Sequence, residues 1–169
     1  MVYRVVKYGE KVLEQAAQQV QDFDGDLALL AEDMFASMYA SNGVGLAAPQ
    51  IGLSLRLAVV DVTSGEDPNA KIVLSNPQII STEGKQRMEE GCLSLPGFKA
   101  PVTRPRRVTV RAQDLHGEWF EMTVEDLLAR ALCHETDHLN GRLFLTHVSP
   151  LRRNLIKNKV RKMVKAGEW

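Results

Sequence analysis

The sequence predicts an α+β fold, with antiparallel strands between a first helix and a later helix that carries a His-Glu-x-x-His motif, and a further helix near the C-terminal end. Helical periodicity precedes an alternating, turn-rich region, and a second helical region follows it. Helices and strands segregated in this way along a chain are typical of the class. With 169 residues, 44% of them hydrophobic, the chain is long enough for one core. We therefore expect a single domain over residues 1–169.

The first predicted helix runs from about Asp26 to Ser41, and Gly43 lies just past its end. Its apolar residues recur at helical spacing, namely Leu27, Leu30, Met34 and Met38. The segment GVGLAAPQIG follows this helix. Its residues are small and apolar, and glycines bound it.

Strands are predicted in the middle of the chain. LRLAVVDV is typical of a buried strand, and KIVLSNP of a second one that ends at Pro77. From Ile79 to Met122 the residues alternate and turns are frequent, with RRVTVRAQD and EWFEMTV joined by a turn at LHG. This pattern predicts an antiparallel meander.

Two helices are predicted after the strands. Thr123 with Asp126 forms a variant of the capping box, so a helix should run from about Val124 to Asn140 and end at Gly141. The pair Ser149-Pro150 predicts the start of a last helix, which Gly167 ends. This last helix, within residues 150–169, contains seven basic residues, whereas that segment has one acid.

Composition excludes several classes of protein. Acidic and basic residues balance at 21 each, so the domain as a whole predicts no polyanion or polycation partner. Two cysteines, Cys92 and Cys133, make no disulfide framework and fit a reducing compartment. The sequence shows no signal peptide and no membrane-spanning run, which predicts no membrane partner and a cytoplasmic bacterial protein. A protein of an organellar matrix whose transit peptide has been removed would have the same pattern.

The segment HETDH, residues 134–138, indicates a metal site. Residues four apart lie on one helix face, so His134 and His138 point the same way, towards the apolar side of the helix. Unpaired imidazoles there would cost roughly 1–3 kcal/mol each, and a divalent ion satisfies both. Glu135 is placed to act on a water at the ion as a general base. A solvated helix face is the alternative interpretation.

A catalytic site of this type needs a third protein ligand and an open position. The spacing of one peptidase class would require a histidine at position 144, where the chain has Phe144. Cys92 lies in the glycine-flanked segment EEGCLSLPGF and is the best candidate. Cys133 points about 100° away from His134 and fits a small buried residue.

Two other interpretations stay open at this point. An ordinary metal endopeptidase would cleave unmodified peptides internally. A structural metal site on an RNA-binding protein would have four protein ligands and no open position.

Three segments, GVGLAAPQ (43–50), EGCLSLPG (90–97) and HETDHLNG (134–141), together resemble the three signature motifs of the peptide deformylases. They occur in the same order with matching spacing, and the resemblance covers nearly the whole chain. It implies antiparallel sheets around a central helix. It also implies a metal-dependent hydrolase that removes the N-formyl group from the formyl-methionine of nascent polypeptides and releases formate.

By position in these motifs, the resemblance implies that Cys92, His134 and His138 bind the metal and that Glu135 is the acid and base. Gln50 and the backbone N–H of Leu93 would hold the oxyanion. The residues expected to bind substrate are Gly45, Val44, Glu90, Gly91, Met88, Leu127 and Ala131. Val44, Met88, Leu127 and Ala131 could each equally be ordinary core residues.

The resemblance implies one ferrous ion per chain, with zinc, nickel or cobalt as substitutes, whereas the ligand chemistry alone fits zinc. Some relatives dock on the ribosome through a similar basic C-terminal helix, which makes the ribosome a candidate partner. A solvated charged face is the simpler interpretation of that helix. Two positions depart from the family pattern: Thr136 replaces a larger residue, and Arg130 replaces an apolar residue that lines the pocket.

Overall fold

The computed structural model describes all 169 residues and contains three α-helices, namely α1 (Gly25–Ala40), α2 (Asp126–Leu139) and α3 (Pro150–Lys165). Its strands are β1 (Gly45–Ala47), β2 (Leu57–Val60), β3 (Ile72–Glu83), β4 (Gln86–Gly91), β5 (Lys99–Arg104), β6 (Arg107–Gln113) and β7 (Trp119–Glu125). The predicted α+β class is confirmed. Asp24 caps α1, because its carboxylate accepts the N–H of Leu27 at 3.0 Å. No helix is both long enough and apolar enough to cross a membrane.

The strands form two antiparallel sheets rather than one meander. Five strands lie in the order β1-β2-β3-β6-β7, and β4 pairs only with β5. The prediction of one continuous meander between Ile79 and Met122 was therefore wrong, although β6 and β7 do form the predicted hairpin. Because β3 pairs with β6, the β4–β5 hairpin lies outside the larger sheet. The loop between β4 and β5 reaches the functional site.

The prediction that Pro77 ends a strand was also wrong, because β3 continues to Glu83. The register of β3 against β6 shifts between Ser75 and Gln78, so Pro77 lies at a bulge, where a missing N–H breaks no ladder bond. Asn76 stabilises this bulge. Its side chain bonds the backbone N–H and carbonyl of Val20 at 2.8 and 3.0 Å.

Helix α2 begins two residues later than the capping pattern predicts. Thr123 belongs to β7, where its hydroxyl bonds that of Thr109 on β6 at 2.8 Å. The chain leaves the strand at Asp126, whose φ of +56° makes the sharp turn into the helix. At the other end Asn140 is the C-cap, and Gly141 has a φ of +74°, as predicted for a stop.

Helix α2 is the centre of the molecule and contacts β1, β2, β3, β6 and β7. Four apolar clusters surround it, the smallest of which consists of Ala17, Ala47, Ala58 and Leu139. The first joins α1 to β1 and β2, and the second joins α2 to the larger sheet. The third packs α3 against β5 and the loop after β4, and its buried members are Leu95, Ala100, Val102, Phe144, Leu145, Val148, Ile156 and Val160.

Helix α3 docks through a narrower face than its apolar residues predict. Only Ile156 and Val160 are buried, whereas Leu151, Leu155 and Val164 are exposed. Ser149 and Gly167 lie at its ends as expected: the Ser149 hydroxyl accepts the N–H of Arg152 at 3.4 Å, and Gly167 has a φ of +73°.

Candidate active site

Three metal-ligand side chains that are far apart in sequence meet at one point. Helix α2 presents His134 and His138, and the loop after β4 presents Cys92. The Cys92 Sγ lies 3.3 Å from His138 Nε2, which lies 3.2 Å from His134 Nε2. All three ligand atoms lie within 4.8 Å of one another. The structure thus brings together the thiol and two imidazoles that the sequence singled out.

The orientation of His134 is set by Glu90, whose carboxylate accepts the Nδ1 proton at 2.8 Å. Burial alone would raise the pKa of Glu90, but hydrogen bonds and charges from His134 and Arg104 outweigh it and hold the pKa well below its usual range. Glu90 is therefore a carboxylate. Because the Nδ1 position keeps the proton, the Nε2 lone pair of His134 is available to a metal.

The pKa values of the two histidines move in opposite directions. Burial alone would lower the pKa of His134, but interactions with Cys92 and Glu90 raise it well above 6.5. Burial and the neighbouring His134 lower the pKa of His138 well below 6.5. The raised pKa of His134 keeps a proton on Nδ1 towards Glu90, whereas the lowered pKa of His138 leaves it a neutral base with a lone pair to donate.

Glu90 is itself held by two buried arginines. Arg104 binds it through two parallel bonds of 3.1 and 2.7 Å, and Arg130 adds a third at 2.8 Å. Asp137 accepts a further bond from Arg104 at 2.6 Å. Interactions with Glu90 and Asp137 outweigh burial and raise the pKa of Arg104. Buried charges of this kind are stable only when fully paired, and this network pairs them around one metal ligand.

Glu135 lies beside the two histidines, buried and with one oxygen free. Its Oε2 is buried and has no hydrogen-bond partner. Burial raises the pKa of Glu135 to about 7, a value suited to taking and returning a proton near neutral pH. A Cβ on Gly45 would lie 2.6 Å from Glu135 Oε1 and 2.9 Å from its Cγ. Gly45 is thus required for Glu135 to occupy this position.

Gln50 is buried, and its amide is oriented by its neighbours. Its Oε1 accepts the N–H of Ala47 at 3.0 Å, so its Nε2 must be the end that points towards the Cys92 loop. That Nε2 lies 3.2 Å from Ser94 Oγ and 3.7 Å from Cys92 Sγ. The side chain therefore presents a donor next to the metal ligands.

A cavity of about 700 Å³ opens onto these groups. Its lining includes most of the predicted site, namely Val44, Gly45, Gln50, Glu90, Gly91, Cys92, Leu93, Leu127, Ala131, His134 and Glu135. His138 lies behind this wall. Met88 is 56% exposed on β4 and does not line the cavity, contrary to the prediction that it contributes to an apolar pocket. Glu90 reaches the cavity, but its carboxylate is engaged by the arginines and His134.

A divalent ion fits this arrangement chemically. One thiol and two imidazoles suit a borderline-soft metal, and three ligands leave a position for water. A free, buried carboxylate oxygen lies beside them. Within this α+β fold, such a site at the wall of a cavity defines a metal-dependent hydrolase.

Comparison with known proteins identifies which hydrolase family this is. The family model of polypeptide deformylases matches residues 2–154, and the chain belongs to that family. A peptide deformylase of Acidobacterium capsulatum is 54% identical over 169 residues, which span 100% of this chain and 99% of that protein.

Solved structures agree with this assignment. The peptide deformylase of Legionella pneumophila superimposes with a TM-score of 0.90 at 44% identity, covering 99% of this chain and 98% of that one. That of Thermus thermophilus has a TM-score of 0.89 at 39% identity, covering 99% and 98%. The protein is accordingly an enzyme that removes the N-formyl group from nascent polypeptides.

Sequence reasoning missed the residues that support the metal ligands. Arg104 bonds Glu90 and Asp137, and Ser94 bonds Gln50 beside the Cys92 ligand. None of these three residues was predicted to take part. Asp137 offered a signal, since it is an acid inside the HETDH segment. Arg104 offered none, because its burial follows only from the pairing of β4 with β5.

Proposed function

We propose that Cys92, His134 and His138 hold one ferrous ion, at which Glu135 and Gln50 act on the formyl group of a formyl-methionyl chain. The meeting of the three ligand atoms within 4.8 Å carries this proposal. When bound, the ion supplies a Lewis acid that polarises the formyl carbonyl and activates water at neutral pH. The remaining work falls to the protein's own residues.

Glu135 acts as the proton carrier. Its free oxygen takes a proton from the attacking water, and its pKa of about 7 lets it hold that proton and then deliver it to the departing amine. Burial keeps bulk water from competing for the proton.

Gln50 and Leu93 stabilise the oxyanion that develops on the formyl oxygen. The Gln50 Nε2 is oriented in advance by the bond from Ala47 to its Oε1, and the N–H of Leu93 follows the Cys92 ligand directly. Preorganised donors of this kind are worth on the order of 10²–10³ in rate each.

The methionine side chain occupies the apolar part of the cavity beside Val44, Leu127 and Ala131. The backbones of Gly45 and Gly91 bind the peptide by strand-like pairing. Gly91 lies at the end of β4, which pairs with β5 alone and so has one unpaired edge. Glu90 contributes by holding His134, so its expected role in binding substrate is replaced by one in orienting a metal ligand.

The assay that tests this function is release of formate from formyl-Met-Ala-Ser. We expect the Glu135→Ala protein to retain its metal while turnover falls by about 10²–10⁴-fold, because only the proton carrier is lost. The Asp137→Ala protein is not a suitable control, since Asp137 supports Arg104. The exposed Glu121→Ala on β7 is suitable, and it should turn over like the parent.

Formate release by the Glu135→Ala protein at the parent rate would contradict the assignment of Glu135. Internal cleavage of an unformylated peptide by the parent protein, without formate release, would contradict the function itself.

The identity of the ion is tested by purification without oxygen. We expect about one iron per chain, and we expect activity to fall on exposure to air, because a ferrous ion beside a thiolate is oxidised readily. Protein reconstituted with zinc, nickel or cobalt should be insensitive to air. Equal air sensitivity of the zinc and iron forms would contradict this proposal.

We also propose that α3 contacts ribosomal RNA through its solvent-facing basic residues. Arg152, Lys159, Lys162 and Lys165 are exposed, and phosphate contacts of this kind weaken with salt. Deleting residues 150–169 would also remove Ile156 and Val160 from the core, so charge reversal is the better test. Lys159→Glu with Lys162→Glu should reduce co-sedimentation with ribosomes and leave turnover of short peptides unchanged.

Reversal of two exposed lysines elsewhere, Lys11→Glu with Lys85→Glu, is the matched control. Equal co-sedimentation of both double variants with the parent would remove the ribosome proposal. A cytoplasmic location is proposed from the same argument, since nascent formylated chains emerge there in bacteria, the source of several close relatives. Cell fractionation tests it.

A further inference from the structure

The wall of the substrate cavity includes Phe98, which lies in the loop between the metal ligand Cys92 and β5. Phe98 ends a tight turn in which its N–H bonds the carbonyl of Leu95 at 3.2 Å. Pro96 and Gly97 lie at the centre of that turn, and Gly97 has a φ of +84°. This short turn carries a large ring, so packing from outside the loop must hold the ring in place.

That packing comes from Trp169, which follows α3. The rings of Phe98 and Trp169 are 6.0 Å apart between centroids and tilted by 57°, a favourable geometry for two aromatic rings. Both residues belong to the apolar cluster that contains Ile156 and Val160 of α3. The last residue of the sequence therefore touches the wall of the substrate cavity.

Trp169 is anchored on its other side by the N-terminal segment. Its indole Nε1 donates to the carbonyl of Tyr8 at 2.9 Å, and the ammonium of Lys7 lies 5.7 Å from the ring centroid. Tyr8 in turn donates its N–H to the carbonyl of Ser94 at 2.8 Å. The indole is thus fixed to a segment that is itself bonded to the loop of the metal ligand.

The end of α3 directs the chain towards this contact. Gly167, with a φ of +73°, reverses the backbone after the helix, and the N–H of Glu168 bonds the carbonyl of Met163 at 2.8 Å. The bond and the glycine together set where Trp169 emerges. The indole of Trp169 therefore lies where three segments meet, namely the N-terminal segment, the end of α3 and the loop that contains Phe98.

We propose that Trp169 is a positioning residue for substrate binding, which holds Phe98 against the cavity so that the ring forms an apolar wall for the formylated peptide. It contacts Phe98, the carbonyl of Tyr8 and Lys7, and it forms no hydrogen bond with a metal ligand, Glu135 or Gln50. Its loss should therefore affect binding of the peptide and leave the chemical step unchanged.

The test compares kcat and KM for formyl-Met-Ala-Ser. Trp169→Ala should raise KM by about 2- to 10-fold, the range that corresponds to one aromatic pair, with kcat unchanged. Trp169→Phe keeps a ring against Phe98 but loses the N–H to Tyr8, and it should restore most of the lost affinity. Trp119→Ala is the matched control, because that ring stacks against Arg111 on the larger sheet and is remote from the loop.

A double-mutant cycle separates this role from a general effect on stability. Phe98→Ala should raise KM as Trp169→Ala does, and the double variant should resemble Phe98→Ala alone, since Trp169 acts through Phe98. An unchanged KM in Trp169→Ala, with only a lower Tm, would overturn the proposal. So would additive effects of the two substitutions. Should Trp169→Ala not fold, the kcat and KM of Trp169→Phe and of Phe98→Ala are compared with those of the parent. An unchanged KM in Phe98→Ala would then overturn the proposal.

Discussion

At the scale of single residues, the site depends on the close approach of Glu135 to Gly45. Gly45 is required by this side chain, whereas a methyl group at Gly43 would displace only the flexible end of Leu93. A Cβ on Gly43 would lie 2.8 Å from Leu93 Cδ1, and one on Gly45 would meet Glu135. The sequence analysis expected Gly45 to bind substrate, and its contact with Glu135 adds a second reason for a glycine at this position.

Gly45→Ala should lower kcat more than it raises KM. The new methyl group displaces Glu135 from its position, and a small misplacement of a catalytic group can cost on the order of 10²-fold in rate. Metal content should be unchanged, because Gly45 contacts no ligand. Gly25→Ala is the control and should keep the parent kcat, since no atom lies within 4 Å of its added Cβ at the start of α1. A Gly45→Ala enzyme with normal kcat would contradict the role given to Glu135.

Glu90 is the residue on which the ligand geometry depends most. Replacing it by glutamine removes the carboxylate that orients His134 and that binds Arg104 and Arg130. Loss of such an outer partner typically weakens metal affinity by about 10–100-fold. We expect Glu90→Gln to lose iron to a chelator at correspondingly lower concentration. The neighbouring Glu89 is exposed, so Glu89→Gln should retain iron like the parent.

The structure accounts for Arg130, which replaces an apolar residue of the family pattern in the wall of the cavity. An arginine in an apolar pocket would be costly if its charge were free, but its guanidinium is paired with Glu90 and donates to the carbonyl of Val102 at 3.0 Å. The residue therefore supports the metal ligand from the cavity wall.

At the scale of elements, Asp61 joins α1 to the larger sheet. It follows β2 directly, is fully buried and accepts the hydroxyl of Tyr39 on α1 at 2.5 Å. It also accepts the N–H and the hydroxyl of Thr63 at 2.8 and 2.6 Å. Burial alone would raise the pKa of Asp61, but these hydrogen bonds outweigh it and lower the pKa below 3.8.

This pKa predicts a stability that depends on pH. Because the folded pKa is lowered, the contribution of Asp61 is fully present above its ordinary value of 3.8 and is lost as the pH falls through the folded value. Asp61→Asn should lower the free energy of unfolding at pH 7 by about 1–3 kcal/mol. Its stability should also decline less steeply below about pH 4 than that of the parent.

Chemical denaturation at several pH values measures both effects. The exposed Asp22→Asn is the control and should follow the parent curve. If Asp61→Asn and the parent declined in parallel, the assigned protonation of Asp61 would be wrong.

At the same scale, local sequence patterns predicted the helices more closely than the pairing of the strands. The helices were predicted to within about two residues because caps and periodicity are local signals. More than one antiparallel sheet was predicted, but the assignment of strands to them was not, since pairing of β3 with β6 depends on contacts between residues far apart in the chain. Thr123 illustrates the conflict: its capping pattern is local, but pairing with Thr109 on β6 keeps it in the strand.

At the scale of the whole molecule, the candidate site is built by joining three parts of the chain around α2. The first motif supplies Gln50, the second Cys92 and the third the two histidines and Glu135. Their residue types and order were readable from the sequence, because each carries its chemistry in its side chain. The buried network of Arg104 and Asp137 was not, because a charged residue signals burial only once its partner is known.

One of the apolar clusters connects α3 with the wall of the substrate cavity. This cluster joins α3, Trp169 and Phe98, and it also reaches the metal ligands, because Cys92 packs against it and the ring of its member Phe144 lies 6.4 Å from that of His134. Trp169 itself contacts Phe98 and the carbonyl of Tyr8, so its loss should act at the cavity wall and change KM rather than kcat.

The most direct test of the central claim is X-ray absorption at the iron edge of protein purified without oxygen. We predict one sulfur and two imidazole nitrogens in the first coordination shell, with water completing it. Cys92→Ser should lose the sulfur signal, whereas Cys133→Ser should keep it, because Cys133 is packed in the separate cluster between α2 and the larger sheet. An iron shell without sulfur in the parent protein would contradict this account.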